Sequence, residues 1–348
     1  MLYSQPMLIT PHVFLDTTVF DQNSHNYTST TFKKLAELVK ENKIKIYLTT
    51  ITTREVEAHI KEEIEGAQAD INAIFKKRRF LKNATHPSVS MVSEGMKVDE
   101  VIYGLGEQFR NWMSEVSVEL IPIEGVSIED VFDKYFDRQP PFGEKKKTEF
   151  PDAFTIAALE RWCKEKSARM YLISGDSDMA SACEENLYLK ATKSVSEFLD
   201  LLNKGERLAE LANSLFEKRI NSIIYHLRKT IHMYFFWNHK PNEHFVQAYV
   251  ESITFPERYL IEVEERRAIF DVLIRATWRA DVVIENALSR VGTVGRPEVV
   301  IHDQFLKAEV AFNFEGDDAA KIEIEYANIK EEYVPFNQQY SEYPDIYS

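Results

Sequence analysis

The chain has 348 residues, 44% of them hydrophobic, which is enough apolar material for a full core and a length that points to two domains. Its formal net charge of -14 is shared by both parts, with 26 basic against 32 acidic side chains in residues 1–204 and 16 against 24 in the remainder. That balance argues against broad, sequence-independent wrapping of nucleic acid, which needs many Lys and Arg contacts to phosphate, but it allows a local basic groove.

No apolar run reaches the 18 or so residues of a membrane span. The start "MLYSQPMLIT" lacks the basic stretch and long apolar run of a signal peptide, so a cytoplasmic protein with no membrane partner is expected. Cys163 and Cys183 have no metal-ligand spacing and fall in helical patterns, which predicts buried thiols.

In chain order, "HVFLD", "KIYLTT" and "RMYLIS" are short apolar runs that read as buried strands. They alternate with the helical patterns "TFKKLAELVKEN", a long stretch from Thr52 to about Phe80, "AFTIAALERWCKEK" and "SVSEFLDLLN". This alternation predicts an α/β domain over residues 1–204, a mostly parallel sheet flanked by helices, with an insertion at about 85–150. Ligands then belong at the carboxyl ends of the strands. Residues 205–348 read as one long amphipathic helix followed by an antiparallel β domain, its strands rich in β-branched and aromatic residues and separated by turns such as "EGDD".

Four junctions carry acids. Asp16 ends the first strand, where an acid also serves as a helix N-cap. Glu55 follows the second strand, and Thr52 with Glu55 fits a Thr-x-x-Glu capping box; His59 lies one turn further on. Asp152 stands beside Pro151 in "FPDAF", a first-turn position that the helix dipole favours. Asp176 and Asp178, in "SGDSDMAS", follow the last strand, where a turn with Ser177 as a cap is the simplest account.

Each acid alone has a structural explanation, but in a parallel sheet such junctions share one edge. Clustered carboxylates repel unless a cation holds them, and hard Mg²⁺ or Mn²⁺ prefers oxygen ligands and keeps waters for a phosphate. The chemistry indicated is phosphodiester hydrolysis.

The segments "VFLDTTVF", "TTITTREVEAHI", "FPDAFTIAAL" and "YLISGDSDMASA", in this order, resemble the four acidic motifs of PIN-domain nucleases, relatives of flap endonucleases, over about residues 10–202. The insertion and the extra β domain resemble a larger bacterial branch of PIN-like proteins. The resemblance implies that Asp16, Glu55, Asp152, Asp176 and Asp178 are catalytic and coordinate one or two Mg²⁺ or Mn²⁺ ions. It also implies that Thr18 fills the small polar position two residues after the first Asp, and an endoribonuclease of toxin-like or phage-defence type.

Substrate phosphate is expected at Lys145, Lys146 and Lys147 in "PPFGEKKKTEFPD", with Phe142 beside the metal site. "KKRRFLKN" reads as a solvated helix end. DNA flap or single-strand cleavage shares the same metals. A regulatory or scaffolding protein with an inactive acidic ring is the alternative of a different class. A protein partner for the β domain and self-association complete the expectations.

Overall fold

The computed structural model describes residues 10–78, 97–142, 149–184, 186–203, 207–233, 235–237, 243–284, 296–330 and 334–336. The described chain forms two compact units, one within residues 8–195 and the other within 196–348.

The first unit is built on five parallel strands: β1 (His12–Leu15), β2 (Lys45–Thr49), β3 (Glu119–Ile121), β4 (Met170–Ile173) and β5 (Leu189–Thr192). Their spatial order is β3-β2-β1-β4-β5. Every residue of β4 is buried, as are Val13, Phe14 and Leu15 of β1, which is why these segments read as unbroken apolar runs rather than alternating ones.

Helices join and cover the strands: α1 (Thr17–Gln22), α2 (Thr30–Lys40), α3 (Thr50–Lys77), α4 (Val98–Glu115), α5 (Ile128–Phe136), α6 (Phe150–Lys166) and α7 (Ser177–Glu184). Phe20 of α1 packs its ring on Phe32 of α2 and on Phe109 and Trp112 of α4, with centroids 5.3–5.8 Å apart. Cys163 and Cys183 are free and buried, as expected.

Two features of this unit depart from the sequence reading. The region read as an insertion contributes β3, a three-residue edge strand paired in parallel with β2 through Tyr47↔Glu119 to Thr49↔Ile121. Two of its three residues are exposed, so it leaves no apolar run to detect. Phe142 is buried, 3% exposed, against Tyr135 and Phe150, and serves the core rather than a substrate. Lys145, Lys146, Lys147, Arg79, Phe80 and Lys82 lie outside the described residues.

The second unit holds α8 (Val195–Asn203), α9 (Arg207–Lys218) and α10 (Ile220–Met233) with an antiparallel sheet of order β10-β9-β8-β7. Its strands are β7 (Glu243–Glu264), β8 (Arg267–Ile284), β9 (Arg296–Asn313) and β10 (Glu323–Ile329), after β6 (Phe235–Trp237), which pairs in parallel with β11 (Val334–Phe336). The long helix expected here is two helices, interrupted at Arg219, whose guanidinium donates to the Ile322 and Ala320 carbonyls. Buried Ala212, Phe216, Ile223, Leu227 and Ile231 keep one apolar period across the interruption, so the pattern reads as continuous.

Candidate active site

After β1 the chain adds strands on one side, and after β4 on the other, so these neighbours flank the point where the strand order reverses. In open α/β sheets the carboxyl ends at that point form the binding crevice. Asp16 directly follows β1, and Ser174, Gly175 and Asp176 directly follow β4; the Asp16 backbone N–H donates to the Ile173 carbonyl at 3.0 Å.

Asp16 is the N-cap of α1 and is buried, 6% exposed. Its Oδ2 accepts from the Thr18 backbone N–H (3.3 Å), the Thr18 hydroxyl (2.7 Å) and the Ser174 hydroxyl (2.8 Å). Ser174 Oγ also accepts from the Asp176 N–H at 3.0 Å on its own junction, and Thr18 Oγ1 accepts from the Gly175 N–H at 2.8 Å across the crevice. Ser174 thus crosses with its proton and Thr18 with its lone pair, which fixes the two junctions together. Burial raises the Asp16 pKa, and the Thr18 and Ser174 hydrogen bonds only partly offset that.

Glu55 arrives from α3. The helix starts earlier than its sequence suggests, because Thr49 is the cap and its side chain accepts from the Thr52 N–H at 3.1 Å. The Thr52–Glu55 capping box therefore does not form, and Glu55 is released to the second turn, where its Oε2 accepts from the Thr17 hydroxyl at 2.9 Å. Burial pushes the Glu55 carboxyl up, the Thr17 bond and His59 oppose the shift, and the charges of Asp16 and Asp21 add to it.

Asp152 is the third residue of α6, behind Pro151 in the first turn. Its carboxyl is pushed up to about 8, first by burial, then by a hydrogen bond with Glu149 and by the charges of Asp16, Glu149 and Glu55. Asp16, Glu55 and Asp152, which come from three distant parts of the sequence, are therefore brought together: Asp152 feels the charges of the other two and Glu55 that of Asp16. Glu149 joins them without having been singled out in the sequence. Its signal is an acid three residues before Asp152, one helical turn away in "EFPD".

Asp176 turns the chain from β4 into α7: its Oδ1 accepts from the Asp178 N–H at 2.6 Å, the bond of an N-cap. The cap is thus Asp176 and not Ser177, which is the first residue of the helix. Asp176 and Asp178 are both partly buried at this junction.

All donors in the set are carboxylates from junctions around one crevice, which fits a hard divalent cation in kind. Among the described residues no group of three or more His, Cys, Asp or Glu is gathered closely enough to enclose an ion. An enclosing cage is not what Mg²⁺ requires, since it usually takes one or two carboxylates and keeps several waters.

Among the described residues no helix is long and apolar enough to cross a membrane. No curated protein and no solved structure matches the chain. Residues 13–179 match a family model described as a PIN domain, a span that opens in β1, closes in α7 and contains all five junction acids. With its parallel sheet and with acids at the reversal of strand order, this span of the chain is a PIN domain.

Proposed function

We propose that the protein is a metal-dependent endonuclease that hydrolyses phosphodiester bonds in RNA. The observation that supports this reading most directly is that Asp16, Glu55 and Asp152, three buried or half-buried acids from three junctions, have no basic side chain bonded to any of them among the described residues; burial raises all three carboxyls, and the charges of Asp16 and Glu55 raise Asp152 further. Uncompensated carboxylates are costly in a fold and useful for holding a cation against an anionic substrate.

Mg²⁺ or Mn²⁺ would be held by Asp16, Glu55, Asp152 and Asp176, with Asp178 at a second or weaker position. Such an ion supplies charge neutralisation at the phosphoryl group and a lowered pKa for attacking water. The protein's own part is positional. Thr18 and Ser174 fix Asp16 in one orientation, Thr17 fixes Glu55, and Asp176 carries the β4 end into α7. Thr18 has its hydroxyl committed to Asp16 and Gly175, so its contribution to substrate is made through Asp16. Lys145, Lys146 and Lys147, a few residues before Asp152 in sequence, are assigned to substrate phosphates, and a toxin-like or phage-defence role in the cytoplasm is the biological setting we assign.

The test is a mixed pool of total RNA, tRNA, single-stranded DNA and duplex DNA incubated with the full chain in Mg²⁺ or Mn²⁺, with the products mapped. RNA cleavage that stops in EDTA and in Asp16→Asn is the expected result. Cleavage confined to DNA would move the assignment to a flap or single-strand nuclease. Mn²⁺ that neither supports cleavage nor raises the melting temperature would leave a regulatory protein with an inactive ring.

A further inference from the structure

Beyond the carboxylates, α1 and α3 carry a second polar rung. Thr17 reaches Glu55 at 2.9 Å, and four residues further along both helices Asp21 Oδ2 meets His59 Nδ1 at 2.8 Å. Equal steps of four mean that the two helices run side by side in the same direction, so His59 stands about 6 Å along α3 from Glu55 on the same stripe.

We propose that His59, oriented by Asp21, is a catalytic residue of this site: the general acid that protonates the oxygen leaving the scissile phosphate. The assignment rests on the nuclease reading above. Asp21 is placed for this work because it divides its oxygens, Oδ2 to His59 and Oδ1 to His25 Nε2 at 3.4 Å. His25, its side chain 10% exposed and its Nδ1 without a hydrogen-bond partner among the described residues, meets the other oxygen of Asp21.

With Nδ1 spent on a carboxylate, the imidazole has its tautomer and plane fixed and leaves Nε2, which makes no hydrogen bond among the described residues, for another group. The side chains of His59 and Asp21 are 43% and 37% exposed, so a substrate can reach them. Ionised carboxylates only accept hydrogen bonds, whereas the departing alkoxide needs a proton, and an imidazolium beside Asp21 supplies one.

The step balances within hydrolysis. Water oxygen forms the new P–O bond and releases one proton to solvent. The P–O bond to the leaving group breaks, its electron pair stays on that oxygen, and the oxygen takes the Nε2 proton; His59 is then reprotonated from solvent. The charged groups around His59 are Asp21 and His25 from α1 and the turn after it, with Glu55 one turn before and Glu62 and Glu63 one turn after on α3. On α4, which packs against α3, Arg110 is engaged by Glu57 and Glu107.

The experiment measures initial rates of the full chain on single-stranded RNA in Mn²⁺ across pH 5.5 to 9 for wild type, His59→Gln, His59→Ala and Asp16→Asn, together with Mn²⁺-induced melting shifts. His59→Gln is expected to lose about 100-fold in kcat, to lose the alkaline fall of the pH profile, and to keep the wild-type Mn²⁺ shift. Added imidazole is expected to restore part of the His59→Ala rate, a response that a merely structural rung would not give.

A His59→Gln protein with wild-type rate and profile, beside an inactive Asp16→Asn, overturns the acid role and leaves the nuclease standing. Loss of the acidic limb instead of the alkaline one overturns it as well. If wild type cleaves nothing, or if Asp16→Asn cleaves as wild type does, the nuclease reading itself fails and the acid role falls with it.

Discussion

Three acids in each unit are treated in opposite ways. In the β unit three sheet carboxylates are met where they stand: Asp303 by Arg275 and the Thr277 hydroxyl, Asp271 by Lys330 at 2.7 Å, and Glu325 by Arg267 at 2.8 Å. The Arg275 hydrogen bond holds Asp303 below the usual carboxylate range. In the PIN unit Asp16, Glu55 and Asp152 have hydroxyls and one another for company, and all three are shifted upward. A fold can pair its acids when stability is the only demand, so acids with no basic partner among the described residues at a strand-order reversal are the ones the proposed chemistry would use.

The largest effect that separates the units is on turnover. Asp16→Asn is expected to reduce cleavage by roughly 100-fold or more, because the proposed ligands would act as a unit, while Asp303→Asn leaves the rate unchanged. Equal rates for the two variants in the same RNA assay would erase the distinction.

Ser174→Ala is the next largest. It removes the hydroxyl that serves both Asp16 Oδ2 and the Asp176 N–H, and a loss of about 10-fold in activity or metal affinity is expected for a residue that orients a ligand. Isothermal titration with Mn²⁺ together with kcat measures both parts.

The third effect is on stability and reverses the usual sign. The Asp152 pKa is raised to about 8 in the folded chain, so its destabilising contribution is absent below the unfolded pKa near 4 and grows as pH rises toward 8. In EDTA, Asp152→Asn is therefore expected to melt at the same temperature as wild type near pH 4 and several degrees higher at pH 8.5. A variant that melts lower than wild type at pH 8.5 would show that Asp152 stabilises the fold.

The smallest effect is its mirror image. Asp303 has a depressed pKa, so its contribution is present above the unfolded value and lost as pH falls below 4. Because the pair is largely solvated, Asp303→Asn should lower the melting temperature slightly at neutral pH and not at all near pH 3.

Much of the PIN unit can be read from sequence because its strands are buried on both faces and leave dense apolar runs; "RMYLI" and "HVFLD" announce themselves. β3 does not, since an edge strand of three residues with two exposed has no pattern to show. At the site, the residues read from sequence were those at strand ends and at the start of α6. Apart from Glu149, those overlooked act through contacts at long separation. Ser174 meets Asp16 across 158 positions, and Thr17 meets Glu55 across 38; neither spacing has a local signature. The start of α3 shifted because Thr49, Thr50, Thr52 and Thr53 all suit a cap, and only packing chooses Thr49.

The β unit ends its sheet in a way that bears on what else the chain can touch. β7 is a 22-residue edge strand, an inviting template for another molecule's backbone. Its pairing with β8 shifts register at Phe245/Gln247, Val250/Ser252, Thr254/Glu257 and Leu260/Glu262, and Pro256, inside the third shift, lacks an N–H altogether. Between shifts no stretch of β7 keeps an even ladder for more than four residues. Asp200 and Asn203 take the Leu260 and Ile261 backbone groups and Arg228 takes the Glu251 carbonyl, so a strand approaching from outside meets a broken and partly occupied comb.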